Sequence, residues 1–189
     1  MSDYPSLPPR GFGYTPYDYF FPEGLVSLAT RTPSVNANVV AWPFFISGPA
    51  TLEQVRMWLV TAQTAAAARA GIYSNNNARP ANLIADLGEK ALATGGGAAV
   101  SWDAAAPVDG WVWVLIWLKN VATQVSVTGP GDLTNTVGGF PAMDVFLEFP
   151  SFRSNLYLEA AYPGSMPAVA PAVVPSFEQK VPMPIIRLI

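Results

Sequence analysis

Along most of the chain, apolar and polar residues alternate over short runs broken by proline, glycine and asparagine, the pattern of half-buried strands. The exception is Gly110-Trp-Val-Trp-Val-Leu-Ile-Trp-Leu118, in which the eight residues from Trp111 onward are all apolar. A bilayer-spanning helix needs about 20 such residues, so this run is too short to cross a membrane as a helix. Its β-branched Val112, Val114 and Ile116 and its aromatic Trp111, Trp113 and Trp117 suit a pleated surface. At period two, the three tryptophans and Leu115 share one side, and Val112, Val114, Ile116 and Leu118 share the other. A strand apolar on both sides must be covered on both, which places it centrally in a sheet. The valine side predicts core. The tryptophan side leaves three readings open: more core, a subunit interface, or a platform on which a sugar ring stacks.

The remaining elements follow from the same pattern. Val39–Ile46 predicts a strand that Pro43 confines to an edge or a bulge. Ser47–Ala50 reads as a turn, Val55–Val60 as a strand, and Thr61–Ala68 as a small-residue loop despite its alanines. Arg69–Tyr73 and Leu83–Leu87 are strands on either side of an asparagine turn and an irregular Pro80–Asn82. Gly95–Gly97 is a flexible connection, Ala98–Trp102 a strand, and Pro107–Gly110 a turn into the tryptophan strand. Gln124–Val127 and Met143–Phe149 are further strands around a long loop from Gly129 to Gly139. Residues 150–180 are irregular and apolar, and the chain closes on a strand within 184–189. Eight or nine short strands without a helix predict an all-β fold, an antiparallel β-sandwich of jelly-roll-like form.

Residues 1–38 differ from this body, which spans 39–189. Pro5, Pro8, Pro9, Pro16, Pro22 and Pro33 exclude a helix or a ladder, and between them stand Phe12, Tyr14, Tyr17, Tyr19, Phe20 and Phe21. Ordinary disordered tails are poor in aromatics. A proline-restricted, aromatic-studded extended arm loses little entropy on ordering and suits docking into a groove of a partner, or onto its own domain.

Composition narrows the function classes. Of 189 residues 51% are hydrophobic and 12% charged, against about 25% charged in an ordinary soluble domain. So few charges predict large surfaces covered by other chains, and hence a homo-oligomer or an assembly component. A net charge of −3 without a basic cluster argues against nucleic acid as a partner. With no cysteine and no histidine, thiolate nucleophiles, the usual zinc sites and a Ser-His-Asp triad are excluded. Met1–Arg10 lacks a basic-then-apolar leader pattern, which predicts synthesis into the cytosol.

Paired carboxylates are the remaining catalytic option, with Asp103 and Asp109, or Asp86 and Glu89, as the candidates for glycoside chemistry. Turn aspartates usually bond their own backbone, so the expectation is no enzyme. Calcium at Asp103, Asp109 or Asp132 would need a ligand spacing that is absent, so neither metal nor cofactor is expected. Trp58, Trp102, Trp111, Trp113 and Trp117 are the candidate faces for a sugar, with Trp111, Trp113 and Trp117 as the principal interface or glycan platform.

Four stretches occur in an order that carries a resemblance. Ala68-Arg-Ala-Gly-Ile-Tyr-Ser74 leads into Asn75-Asn-Asn-Ala-Arg-Pro80, then Leu83-Ile-Ala-Asp-Leu-Gly88, then Gly110-Trp-Val-Trp-Val114. The set resembles a β-sandwich domain recurring in structural proteins of tailed bacteriophages, chiefly tail fibres and other virion appendages. The end of the chain, Pro184 to Leu188, resembles that domain's closing strand. Coverage is roughly residues 39–128 and the last nine; Val112 departs from the usual tyrosine, and the arm and residues 129–180 have no counterpart. The resemblance implies a place in the virion and a sandwich fold, with Gly71 and Gly88 at close approaches or turns. It brings no catalytic residue. The resulting expectation is a non-enzymatic capsid decoration or head-fibre protein, a homotrimer docked on other virion proteins through its arm. The alternative is a tail-fibre or receptor module that binds a host-surface glycan through surface tryptophans.

Overall fold

A computed structural model describes residues 19–20, 28–31, 38–62, 64–93, 98–120, 126–130, 155–176 and 184–189. Among these residues all regular structure is β. Ten strands occur: β1 (Tyr19–Phe20), β2 (Leu28–Arg31), β3 (Asn38–Thr61), β4 (Ala67–Asn76), β5 (Arg79–Ala91), β6 (Ala98–Lys119), β7 (Ser126–Pro130), β8 (Asn155–Glu159), β9 (Val174–Ser176) and β10 (Pro184–Leu188). Six of them follow one another across a sheet in the order β1-β10-β3-β6-β4-β5. β7 and β8 pair with β3, β2 with β7, and β9 with β8, and every pairing is antiparallel.

The axis is the ladder between β3 and β6, which runs from Val39 opposite Trp117 to Leu59 opposite Ala98. Two turns expected from the sequence are absent as turns. Ser47–Ala50 lies within β3 and Pro107–Gly110 within β6, and the ladder shifts register between Ile46 and Ala50. Gly48 and Gly110 take φ of +94° and +64° there, a region that a residue without Cβ enters freely. The glycines therefore bend two continuous strands instead of ending them. Pro80–Asn82, expected to be irregular, belongs to β5, because Asn75 pairs with Pro80 across the hairpin.

Pro43 sits opposite Trp113 on β6, while β8, on the other edge of β3, stops opposite Ala41. Among the described residues, the pairing of β3 with β8 does not reach Pro43. Residues 160–173 form no named strand, as expected for that apolar stretch, but β8 and β9 flank them. The closing strand is β10. The Gly129–Gly139 loop beyond Pro130, the Met143–Phe149 strand, Gly95–Gly97 and arm residues Phe12, Tyr14, Tyr17 and Phe21 lie outside the described residues.

One buried cluster takes Val40, Trp42, Phe44 and Ile46 from the first half of β3 and Leu52, Val55, Met57 and Leu59 from the second. It also takes Trp102, Ala106 and Val108 from one half of β6, and Val112, Val114, Ile116 and Leu118 from the other. The valine side of the central strand is therefore core, as its pattern predicts. The bend brings both halves of the long ladder to the same interior, and the Trp102 Nε1–H donates to the Gly88 carbonyl of β5 at 3.1 Å.

The β4–β5 hairpin closes on Asn77 and Ala78, both left-handed at φ +48° and +60°. That geometry suits Asn followed by Gly, and alanine there is strained. Ala78→Gly is expected to stabilise the protein by about 0.5–1 kcal/mol in urea unfolding.

Candidate functional site

The tryptophan side of β6 is covered by the chain's own residues 160–173. Trp113 and Trp117 are 2% and 3% exposed and share a second buried cluster with Val39, Ala41, Tyr73, Leu115, Met166 and Val173. Their indole N–H groups are satisfied: Trp113 donates to Asn75 Oδ1 at 2.9 Å, and Trp117 to the Ala160 carbonyl at 3.3 Å. A buried indole requires such a partner. Of the three readings left open by periodicity, Trp113 and Trp117 take that of core, and neither offers a face to a sugar in this arrangement. Trp111, nearer the bend, is half-buried with its ring 5.2 Å from that of Phe45.

The covering segment is fastened along its length. The Tyr73 hydroxyl donates to the Pro167 carbonyl at 2.8 Å, and Arg79 Nη1 donates to the Val173 carbonyl at 2.6 Å. The backbone N–H of Leu83 bonds Ala168, and that of Ala170 bonds Ala81, so part of the outer edge of β5 is paired. Asp86 accepts from the Gly88 N–H and from the Met166 N–H, both at 2.9 Å. Asp86 thus braces the register shift in its own strand and holds the covering segment at once. It also faces Arg69 Nη1 at 3.4 Å.

Gly71 of β4 has its reason here. A Cβ at this position would lie 2.7 Å from Met166 Cε, 2.9 Å from Met166 Cγ and 3.3 Å from the Ala85 carbonyl oxygen. Glycine lets the covering segment lie directly on the strand. Gly88 instead takes φ +80° at a register shift within β5, with open space around it.

Tyr162, at the start of the cover, carries Lys119 Nζ 5.2 Å above its ring, a cation–π geometry. Its hydroxyl is buried beside Glu89 and Arg69 and closes no well-formed hydrogen bond. Burial, then the adjacent Glu89 carboxylate, hold its ionisation well above the ordinary tyrosine range, and Arg69 offsets part of this. Tyr73 shifts the same way, through burial first and the Asp86 charge second.

The other carboxylate candidates are not gathered around a common point. Asp103 is exposed on β6 and accepts from Gln54 Nε2 at 2.7 Å, and Asp109 is exposed near the bend. Among the described residues no group of three His, Cys, Asp or Glu side chains could hold a metal. Asp132 lies outside the described residues. In the arm, where the prolines predict no ladder, two short stretches between them do pair: Tyr19–Phe20 with Arg187 and Ile186 of β10, and Leu28–Arg31 with residues 127–130 of β7.

Sequence reasoning missed the cover. Its signal was present, because a loop bearing Met166 and Val173 among prolines and alanines is too apolar for open solvent. Trp102 proves to be core, and Trp58 is 49% exposed on β3. No family model matches the chain, and no curated protein matches it.

Two outcomes test this arrangement. Gly71→Ala should destabilise the protein by about 1–3 kcal/mol through overpacking, and by less in a Met166→Ala background, in a urea double-mutant cycle. Both tyrosines keep their protons longer when folded than when unfolded, so stability is full below the unfolded tyrosine value of about 10 and falls as pH rises above it. The melting temperature should drop from about pH 10 upward, with a shallower slope in Tyr162→Phe.

Proposed function

We propose that the chain is a non-enzymatic structural component of a tailed-phage virion, a jelly-roll-like β-sandwich that decorates the capsid surface or forms a head fibre. The observation that carries this reading is where the resembling stretches fall. The Arg-Ala-Gly-Ile-Tyr run from Arg69 lies on β4, and Asn75–Pro80 forms the hairpin turn. The Leu-Ile-Ala-Asp-Leu-Gly run from Leu83 lies on β5, and Gly110–Val114 lies on β6 beside β4. Three strands adjacent in the sheet thus carry the motifs in order, and the closing stretch is β10. The sandwich form is supported by the single cluster shared by both halves of the bent β3–β6 ladder.

The arm, with Phe12, Tyr14, Tyr17, Tyr19, Phe20 and Phe21, docks on neighbouring virion proteins, and three copies associate to cover surface that the 12% charged residues leave apolar.

The tagged chain should be found in purified particles of the phage that encodes it, and removal of residues 1–22 should abolish its incorporation while the melting transition persists. Light scattering should give three times the 20.2 kDa chain mass. Absence of the full chain from particles, or incorporation unchanged without the arm, would contradict the proposal.

A further inference from the structure

All six tryptophans of the chain are described, and they divide sharply. Trp42, Trp102, Trp113 and Trp117 are 3% exposed or less, and Trp111 is half-buried, whereas Trp58 is 49% exposed on the second half of β3. A single exposed tryptophan is ordinary by itself. Its surroundings decide what it can do.

Period two puts Gln54, Arg56 and Trp58 on one face of β3, in a row of about 13 Å. Opposite them on β6 stand Asp103, Ser101 and Ala99, in register. Opposite Trp58 the side chain is only the Ala99 methyl. The polar row is already set, since Arg56 Nε donates to Gln54 Oε1 at 2.7 Å and Gln54 Nε2 donates to Asp103 Oδ1 at 2.7 Å. On the far side Arg187 of β10 stands opposite Gln54 and pairs with Glu53 at 2.7 Å. A ligand meeting this face finds side chains fixed beforehand, which lowers the entropy lost on binding.

We infer that this face is a carbohydrate-binding surface, on which a pyranose ring of a neutral oligosaccharide stacks on Trp58. Its neighbouring units lie along β3, where their hydroxyls meet Ser101 and the Arg56 and Asp103 groups that the buried Gln54 bridges. The chemistry matches on both counts. A sugar ring has an apolar C–H face that fits a flat exposed aromatic, and a girdle of hydroxyls that donate and accept together. The face offers a guanidinium donor, the Ser101 hydroxyl that does both and a carboxylate acceptor, with one positive charge against one negative. That balance selects a neutral sugar over an anionic one.

A protein partner would require a wider apolar patch. The other large apolar side chains exposed among the described residues, Ile84, Val169 and Ile189, lie on β5, on the covering segment and at the chain end. The inference stands on this face alone and does not depend on virion placement.

The test is binding of the full chain to a printed array of neutral oligosaccharides, with Trp58→Ala, Trp58→Phe and Asp103→Ala beside it. Wild type should bind, and a soluble form of the bound sugar should protect Trp58 from oxidation by N-bromosuccinimide. Trp58→Ala should weaken binding by about tenfold or more, as loss of a central aromatic anchor does. Trp58→Phe should retain part of the affinity, and Asp103→Ala should alter which sugars bind. Because Trp58 is exposed, its melting temperature in Trp58→Ala should stay at the wild-type value. Failure to bind any sugar on the array, or unchanged binding in Trp58→Ala, would overturn the inference. A lower oligomeric mass in Trp58→Ala without sugar binding would also overturn it and assign the face to a subunit interface.

Discussion

The enclosure of one strand on both faces is the constraint on which the rest depends. Residues 111–118 carry three tryptophans and five aliphatic side chains, and water must be removed from both sides. One side is sealed by the bent β3–β6 ladder and β4, the other by residues 160–173 lying across β4 and β5. Burying an aromatic side chain removes roughly 150–250 Å² from water, so Trp113 and Trp117 contribute heavily to the cluster under residues 160–173, as Trp42 and Trp102 do to the other. The polar cost is met locally, with each buried indole N–H of the strand given an acceptor at Asn75 or Ala160.

This arrangement explains residue choices that look unrelated along the chain. Gly71 is small because Met166 must reach the strand beneath it, and Asp86 is acidic because it accepts from both the Gly88 and Met166 amides. Tyr73 is packed by its ring and directed by its hydroxyl to Pro167. The open face around Trp58 belongs to the other half of the ladder, so a binding role there makes no demand on the two cores.

Much of the fold was legible in the sequence because period-two patterning and β-branched residues report local geometry. The all-β class follows from short strand patterns along the whole chain, and the central place of the tryptophan strand and the valine-side core follow from residues 110–118. The bends at Gly48 and Gly110 were less legible. A glycine in a left-handed conformation serves a turn and a bulge equally, and only the partner strand decides between them. The fate of the tryptophan side was not legible at all. Periodicity defines two faces without saying which distant segment covers either, and the covering residues are about 50 positions away in sequence. The exposure of Trp58 had the same origin, since alternation in β3 fixes its side but not what lies outside.

Amide hydrogen exchange of β6 tests the double enclosure most directly. If both faces are sealed by the chain itself, the amides of residues 112–118 exchange only through global unfolding, with the opening free energy found in urea denaturation. Exchange of those amides through a lower-energy local opening, with the valine-side core of β3 still protected, would show that residues 160–173 do not hold the tryptophan side closed and would contradict the account.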